Sequence, residues 1–250
     1  MRSKKIITSR SGSPRRVAST YFLFLIFFLF GCAPKISPPP VYKNADLSLE
    51  EVITIAQADI NTLKAIADIN IEEDNTPYLS VSASVLLKKP SWIHIRLYRY
   101  GMLTDSFFIK DDVVHSVSGR WNTKLGEFGM ELYQSVFWWE GLENALMHKQ
   151  GTEYVIRTKN KEIRLDKSTL LPKSQKITAN SSKISILYDE PKKDAVSAFQ
   201  NKPGADLWYP SVIRIETGAY RLTVKIRRLF INPPLEENDF KAAEKSGKRY

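Results

Sequence analysis

The sequence predicts an α+β fold in which a strongly curved antiparallel sheet of about ten strands forms a half-open β-barrel and two helical segments cover it. Three observations lead there. One early stretch sets apolar residues at helical spacing behind a capping signal, a long series of stretches alternates apolar with polar residues, and the links between those stretches are short and polar. Two helical segments are too few to cover both faces of so broad a sheet. The sheet is therefore expected to curl, with one polar and one apolar face, and the helices to lie across its mouth. Mouths of this kind commonly hold apolar ligands.

The elements follow in chain order. Ser48 and Glu51 make a capping box, and Leu49, Val52, Ile53, Ala56, Ile60 and Leu63 share one helical face, which predicts an amphipathic helix over 48–64. Leu79, Val81, Ala83, Val85 and Leu87 alternate with Ser80, Ser82 and Ser84 as a half-buried strand, and Ile93, Ile95 and Leu97 do so opposite His94, Arg96 and Tyr98. Strands at 105–110 and 113–118 flank a turn at Asp111-Asp112. Residues 130–147 read as helical, interrupted by Trp138, Trp139 and Gly141. The second half returns to strands at 153–158, 162–166, 173–178 and 183–188, an antiparallel meander. A loop over 189–207, rich in Pro, Lys and Asp, precedes strands at 211–216 and 220–227 joined through Gly218. From Lys241 onward the chain is expected to fray.

The first thirty residues have a different character. Arg2, Lys4, Lys5, Arg10, Arg15 and Arg16 make a basic start, and Tyr21 to Phe30 follow as an unbroken apolar run, the order of a secretory signal. That run is about half of the roughly 20 residues a helical membrane span needs. Leu29-Phe30-Gly31-Cys32 resembles a lipobox, in which the cysteine is alkylated by diacylglycerol before cleavage, and Phe30 is bulkier than the residue usual there. The chain has a single cysteine, and it stands at this place. The division expected is a lipoprotein signal peptide over 1–31, a lipidated, proline-rich tether over 32–46, one domain over 47–240 and a disordered tail over 241–250.

The formal charge of +10 weakens once the leader is set aside. Of 37 Lys and Arg, six lie in the leader, so 31 face 27 Asp and Glu and the net is +4. Nucleic acid is not an expected partner of a mildly basic, secreted chain. No disulfide is available, and the remaining body of about 200 residues suits one domain held by its own core.

Catalytic residues, a metal site and a cofactor are not expected. His94, His115 and His148 are scattered, and there is no HExxH, no GxSxG elbow and no glycine-rich phosphate loop. Asp111-Asp112 and Glu72-Glu73-Asp74 read as solvated turns. Asn180-Ser181-Ser182 matches a glycosylation sequon by letters only.

An early helix leading into alternating strands, Lys89-Pro90-Ser91-Trp92 opening a strand, the hairpin Tyr100-Gly101-Met102-Leu103, Leu171-Pro172 before a later strand, and the ending Ile231-Asn232-Pro233-Pro234-Leu235 with Phe240 beyond it form one pattern. Over roughly 48–240 it resembles the Lol-type lipoprotein carriers and receptors, LolA and LolB, and with the lipobox it is most similar to the lipid-anchored LolB-like branch. The resemblance implies an outer-membrane lipoprotein facing the periplasm, which accepts acyl chains of a lipoprotein or lipid in an apolar cavity, receives them from a periplasmic carrier protein and helps insert them. Ala33 fits outer-membrane sorting, since it is not the aspartate that retains some lipoproteins at the inner membrane. The hairpin's Tyr100, Met102 and Leu103 match the family's membrane-inserting position. Candidate cavity residues are Trp92, Leu97, Phe107, Phe108, Trp121, Phe137, Trp138 and Trp139. Three consecutive rings cannot all point inward from one helix, so at least one of Phe137, Trp138 and Trp139 is expected to be exposed or to line the mouth. An assembly lipoprotein that binds a protein partner through the same fold is the alternative, and the fold alone does not choose between them.

Overall fold

The capping box forms. The Ser48 N–H donates to Glu51 Oε2 at 2.7 Å and the Glu51 N–H to Ser48 Oγ at 3.2 Å, starting helix α1, Leu49–Gln57. The structure, a computed structural model, describes residues 39, 41–42, 46–57, 60–110, 113–116, 124–179, 182–193, 196–197 and 207–240. The helix is shorter than the spacing predicted. Ile60 and Leu63 fit the helical face, but Leu63, Ala65, Ala67, Ile69 and Ile71 also alternate, and all five are buried in strand β1, Thr62–Glu73. Hydrogen bonding on both of its sides gives this segment more partners as a strand than as a helix end.

From β1 the chain runs outward as a meander through β2 (Thr76–Lys88), β3 (Trp92–Arg99), β4 (Met102–Lys110) and β5 (Val113–Ser116). Helix α2, Lys124–Val136, follows, and then β6 (Leu146–Gln150), β7 (Glu153–Arg157), β8 (Lys161–Asp166), β9 (Pro172–Ala179), β10 (Ser182–Lys192), β11 (Val196–Ser197), β12 (Tyr209–Thr217) and β13 (Tyr220–Ile231). The strand order is β5-β4-β3-β2-β1-β13-β12-β10-β9-β8-β7-β6, with β11 off this path and parallel to β13. Two meanders therefore meet where the first strand pairs with the last. The chain between β5 and β6 must pass from one edge of the sheet to the other, and α2 lies on that passage.

This order overturns the expected half-open barrel. The end strands β5 and β6 do not pair, and the sheet is an open one, neither closed nor strongly curled. The expectation counted only helices as cover. Part of the apolar face is covered instead by irregular chain: Trp138, Trp139 and Leu142 after α2, Leu170 in the turn after β8, and Leu207 before β12 all join the core. The helix expected over 130–147 likewise ends at Val136, and its remainder is a turn followed by β6.

A second departure concerns the outer face. A closing 3-10 turn, Glu237–Phe240, crosses β3 and β4 there, and Phe240, Leu86 and His94 are buried beneath and beside it. Trp92 meets Phe240 edge-on with centroids 5.4 Å apart, Lys88 Nζ donates to the Leu235 carbonyl at 3.2 Å, and Lys110 pairs with Glu237 at 2.8 Å. The outer face is not polar throughout. Residues Pro39–Tyr250 form one compact unit, and the buried core of the described residues lies within it.

Candidate ligand cavity

Between the sheet and its cover lies a cavity of about 260 Å³. Its floor is the inward row of β1 and β2, Leu63, Ala65, Val85 and Leu87, continued on β13 by Val224 and Ile226. Leu132, Ser135 and Val136 of α2 border it, as do Ile55 and Ala56 of α1, Thr169 to Pro172 and Leu207 to Pro210. No lining residue carries a formal charge. Tyr42 reaches the wall from the N-terminal side, its N–H donating to the Ser168 carbonyl at 2.7 Å.

The aromatic wall is held from two directions. All of Phe137, Trp138 and Trp139 are buried, which one helix could not achieve, because α2 has already ended and the chain turns through them. Lys161 of β8 donates from Nζ to the carbonyls of Trp138, at 2.9 Å, and Glu140, at 3.2 Å. Burial lowers its pKa to about 8 against the opposing pull of Glu140 and Glu143. Lys89 stands with Nζ 5.5 Å from the Phe137 ring centre and 5.7 Å from that of Trp139, and its charge meets Glu140 at 3.6 Å. The Tyr133 hydroxyl donates to the same carboxylate at 2.9 Å, and burial raises the Tyr133 pKa.

Of the residues singled out by sequence, Trp138 and Trp139 line this cavity. Leu97, Phe107 and Phe137 are core residues that do not border it. Trp92 packs on Phe240, and Phe108 stacks on His115 at 4.6 Å between ring centres, both away from the cavity. Trp121, Cys32 and the turn Asp111-Asp112 lie outside the described residues. Tyr100, Met102 and Leu103 come together at the β3–β4 hairpin, where they are 93%, 66% and 52% exposed. Tyr100 and Gly101 both have positive φ, at 52° and 78°, the pair of left-handed residues a tight hairpin uses. Sequence reasoning missed the floor residues Leu63 and Ala65 and the wall residues Leu170, Trp208 and Tyr209. The alternation of β1 was the signal for the first two; nothing local marks the others.

Among the described residues no group of three His, Cys, Asp or Glu side chains could hold a metal ion, and no helix is long and apolar enough to cross a membrane. The three histidines stay apart: His94 is buried on the outer face, while His115 and His148 are exposed on the edge strands.

No protein-family model and no curated protein matches the sequence. Among solved structures, a LolA superfamily protein from Nitrosomonas europaea is similar with a TM-score of 0.51 at 10% identity, covering 78% of this chain and 98% of that one. A DUF1329 family protein from Desulfovibrio piger is a looser likeness, with a TM-score of 0.47 at 12% identity over 82% of this chain and 98% of that one. At such identities the likeness is one of fold: this chain has a LolA-like fold, and the comparison does not select the LolB branch.

Proposed function

We propose that the protein is a LolB-like envelope lipoprotein, anchored in the outer membrane through acyl chains on Cys32, that binds acyl chains in its cavity and assists transfer of a lipid or lipoprotein to that membrane. The observation that supports this reading is a cavity lined without a single charged side chain. An acyl chain exposed to the aqueous periplasm costs about 0.8 kcal/mol per methylene, so a carrier needs an uncharged enclosure of this kind. In this reading residues 1–31 are removed, 32–46 serve as tether, and the domain faces the periplasm and takes its cargo from a soluble carrier. The exposed Tyr100, Met102 and Leu103 are the part that meets the bilayer.

Native mass spectrometry of Pro39–Tyr250, expressed in the periplasm and purified gently, tests the reading. Co-purifying acylated species are expected, and their uptake is expected to survive replacement of Tyr100, Met102 and Leu103 by serine while vesicle binding is lost. An empty protein that also refuses an acylated peptide in titration would sink the reading and direct the search to a protein partner.

A further inference from the structure

The cavity is small, and its walls differ in their freedom to move. Its volume of about 260 Å³ falls just under the roughly 300 Å³ at which pockets for drug-sized ligands begin. The floor cannot spread: β1 is hydrogen-bonded along its length to β2 on one side and β13 on the other. The aromatic wall cannot swing aside, because Lys161 ties the Trp138 carbonyl at 2.9 Å and Lys89 lies over the Trp139 ring. Among the other walls, α1 is only nine residues long and its Ile55 is itself 36% exposed, so this is the side that yields most readily to admit a ligand.

The interior offers a headgroup no charged side chain and one unpartnered donor, the buried Trp139 Nε1–H. Its two side-chain hydroxyls outside the tyrosines are already engaged, Ser135 Oγ with the Leu132 carbonyl at 2.7 Å and Thr169 Oγ1 with Asp166 Oδ1 at 3.2 Å. A charged head drawn inside would exchange its whole hydration shell for that one neutral donor, a poor compensation.

Resting on the reading of this cavity as a lipid site, we infer that it holds one unbranched acyl chain at a time, so that the favoured cargo is a single-chain lipid or a singly acylated peptide whose polar head remains in water. Two or three chains on one head exceed the volume of about 260 Å³ and would need α1 to leave the sheet altogether. The chain is the shared chemistry; a fatty acid, a lysophospholipid and a monoacyl peptide are its possible sources.

The test uses Pro39–Tyr250, whose core is complete within itself, stripped of lipid and loaded with dansyl-undecanoate. The probe is displaced in separate titrations by a fatty acid, by one-chain and two-chain phosphatidylcholines of equal short acyl length, and by peptides carrying one or three of the same chains, all below their micelle-forming concentrations. Single-chain ligands are expected to displace the probe at concentrations lower by about tenfold or more, and to form one-to-one complexes by native mass spectrometry. Which single-chain ligand is strongest identifies the source. Equal or tighter one-to-one binding of the two-chain or three-chain ligands overturns the inference and leaves the lipid-binding reading standing. Failure of every ligand, the probe included, overturns both.

Discussion

The imidazole of His94 on β3 and the backbone carbonyl of Asp239 in the closing 3-10 turn are hydrogen-bonded across 145 positions of sequence. The other ring nitrogen, Nε2, meets Ser106 Oγ at 2.7 Å, and the ring is 1% exposed. Arg96 reaches the same carbonyl at 3.5 Å, while Glu237, Asp239, Lys110 and, through Phe108, His115 are the other titratable or charged groups around it. One neutral histidine thus joins the C-terminal turn to the sheet.

Burial, with Arg96 adding to it, holds the His94 pKa below its ordinary value, although Asp239 pulls the other way. The folded state therefore binds fewer protons than the unfolded one. Stability from this site is fully present above about pH 6.5 and is lost as pH falls from there toward the lowered value. Chemical denaturation at about pH 7.5 and about pH 5.5 is expected to give a lower stability in acid for the native chain, and a smaller acid loss for His94→Gln. An equal acid loss in the variant would mean that other groups carry it.

Lys161 follows the same trend at higher pH. Its folded pKa is about 8, below the ordinary lysine value, so between the two the unfolded chain binds more protons and stability is favoured as pH rises. Replacing it by methionine removes that term and leaves the Trp138 and Glu140 carbonyls without their donor. The native chain is expected to gain on Lys161→Met as pH is raised from about 8 to about 10. Parallel stability curves over that range would contradict the buried charge.

Much of the sheet was legible because its strands alternate. From Leu79 to Val85 and from Leu222 to Arg227 buried residues alternate with half-buried or exposed ones as the pattern requires, and the Ser48–Glu51 box starts a helix. β1 was harder. Its first residues satisfy the helical face of Leu49 to Ile60 as well as the strand period, Ile66 breaks the alternation, and only pairing with β13, distant in sequence, decides between them. The open sheet was illegible for a related reason: no local pattern reveals that Trp138, Trp139, Leu142 and Leu170 supply cover that helices do not. Trp138, Trp139 and Leu170 also form part of the cavity wall, so the site was hard to read for the same reason as the architecture. Trp138 and Trp139 were found as aromatic bulk, whereas Leu63 and Ala65 went with the misread helix.

At Gly129, α2 packs closely against β4. A Cβ there would stand 2.6 Å from Ile109 Cδ1 and 3.5 Å from Phe107 Cε2. Alanine would add about 1 kcal/mol of helix propensity. Ile109 is fully buried and Phe107 nearly so, however, and overpacking a filled core costs about 1–3 kcal/mol. Gly129→Ala is expected to lose about 1 kcal/mol net, measured by urea unfolding. A gain would mean that Ile109 has room to turn away.

Ala65 separates ligand binding from folding. It lies mid-strand on β1, opposite Val85 on one side and Leu229 on the other, and its side chain faces the cavity. Leucine at this position adds apolar volume to empty space instead of to packed neighbours, so the usual overpacking penalty is largely avoided and stability is expected to change by no more than about 1 kcal/mol. The same atoms occupy the floor where an acyl chain would lie. Affinity for a single-chain lipid is expected to fall by about tenfold or more in Ala65→Leu, read by displacement of dansyl-undecanoate alongside the unfolding curve. Unchanged affinity with unchanged stability would place the ligand elsewhere, because a chain lying over β1 could not avoid the added side chain.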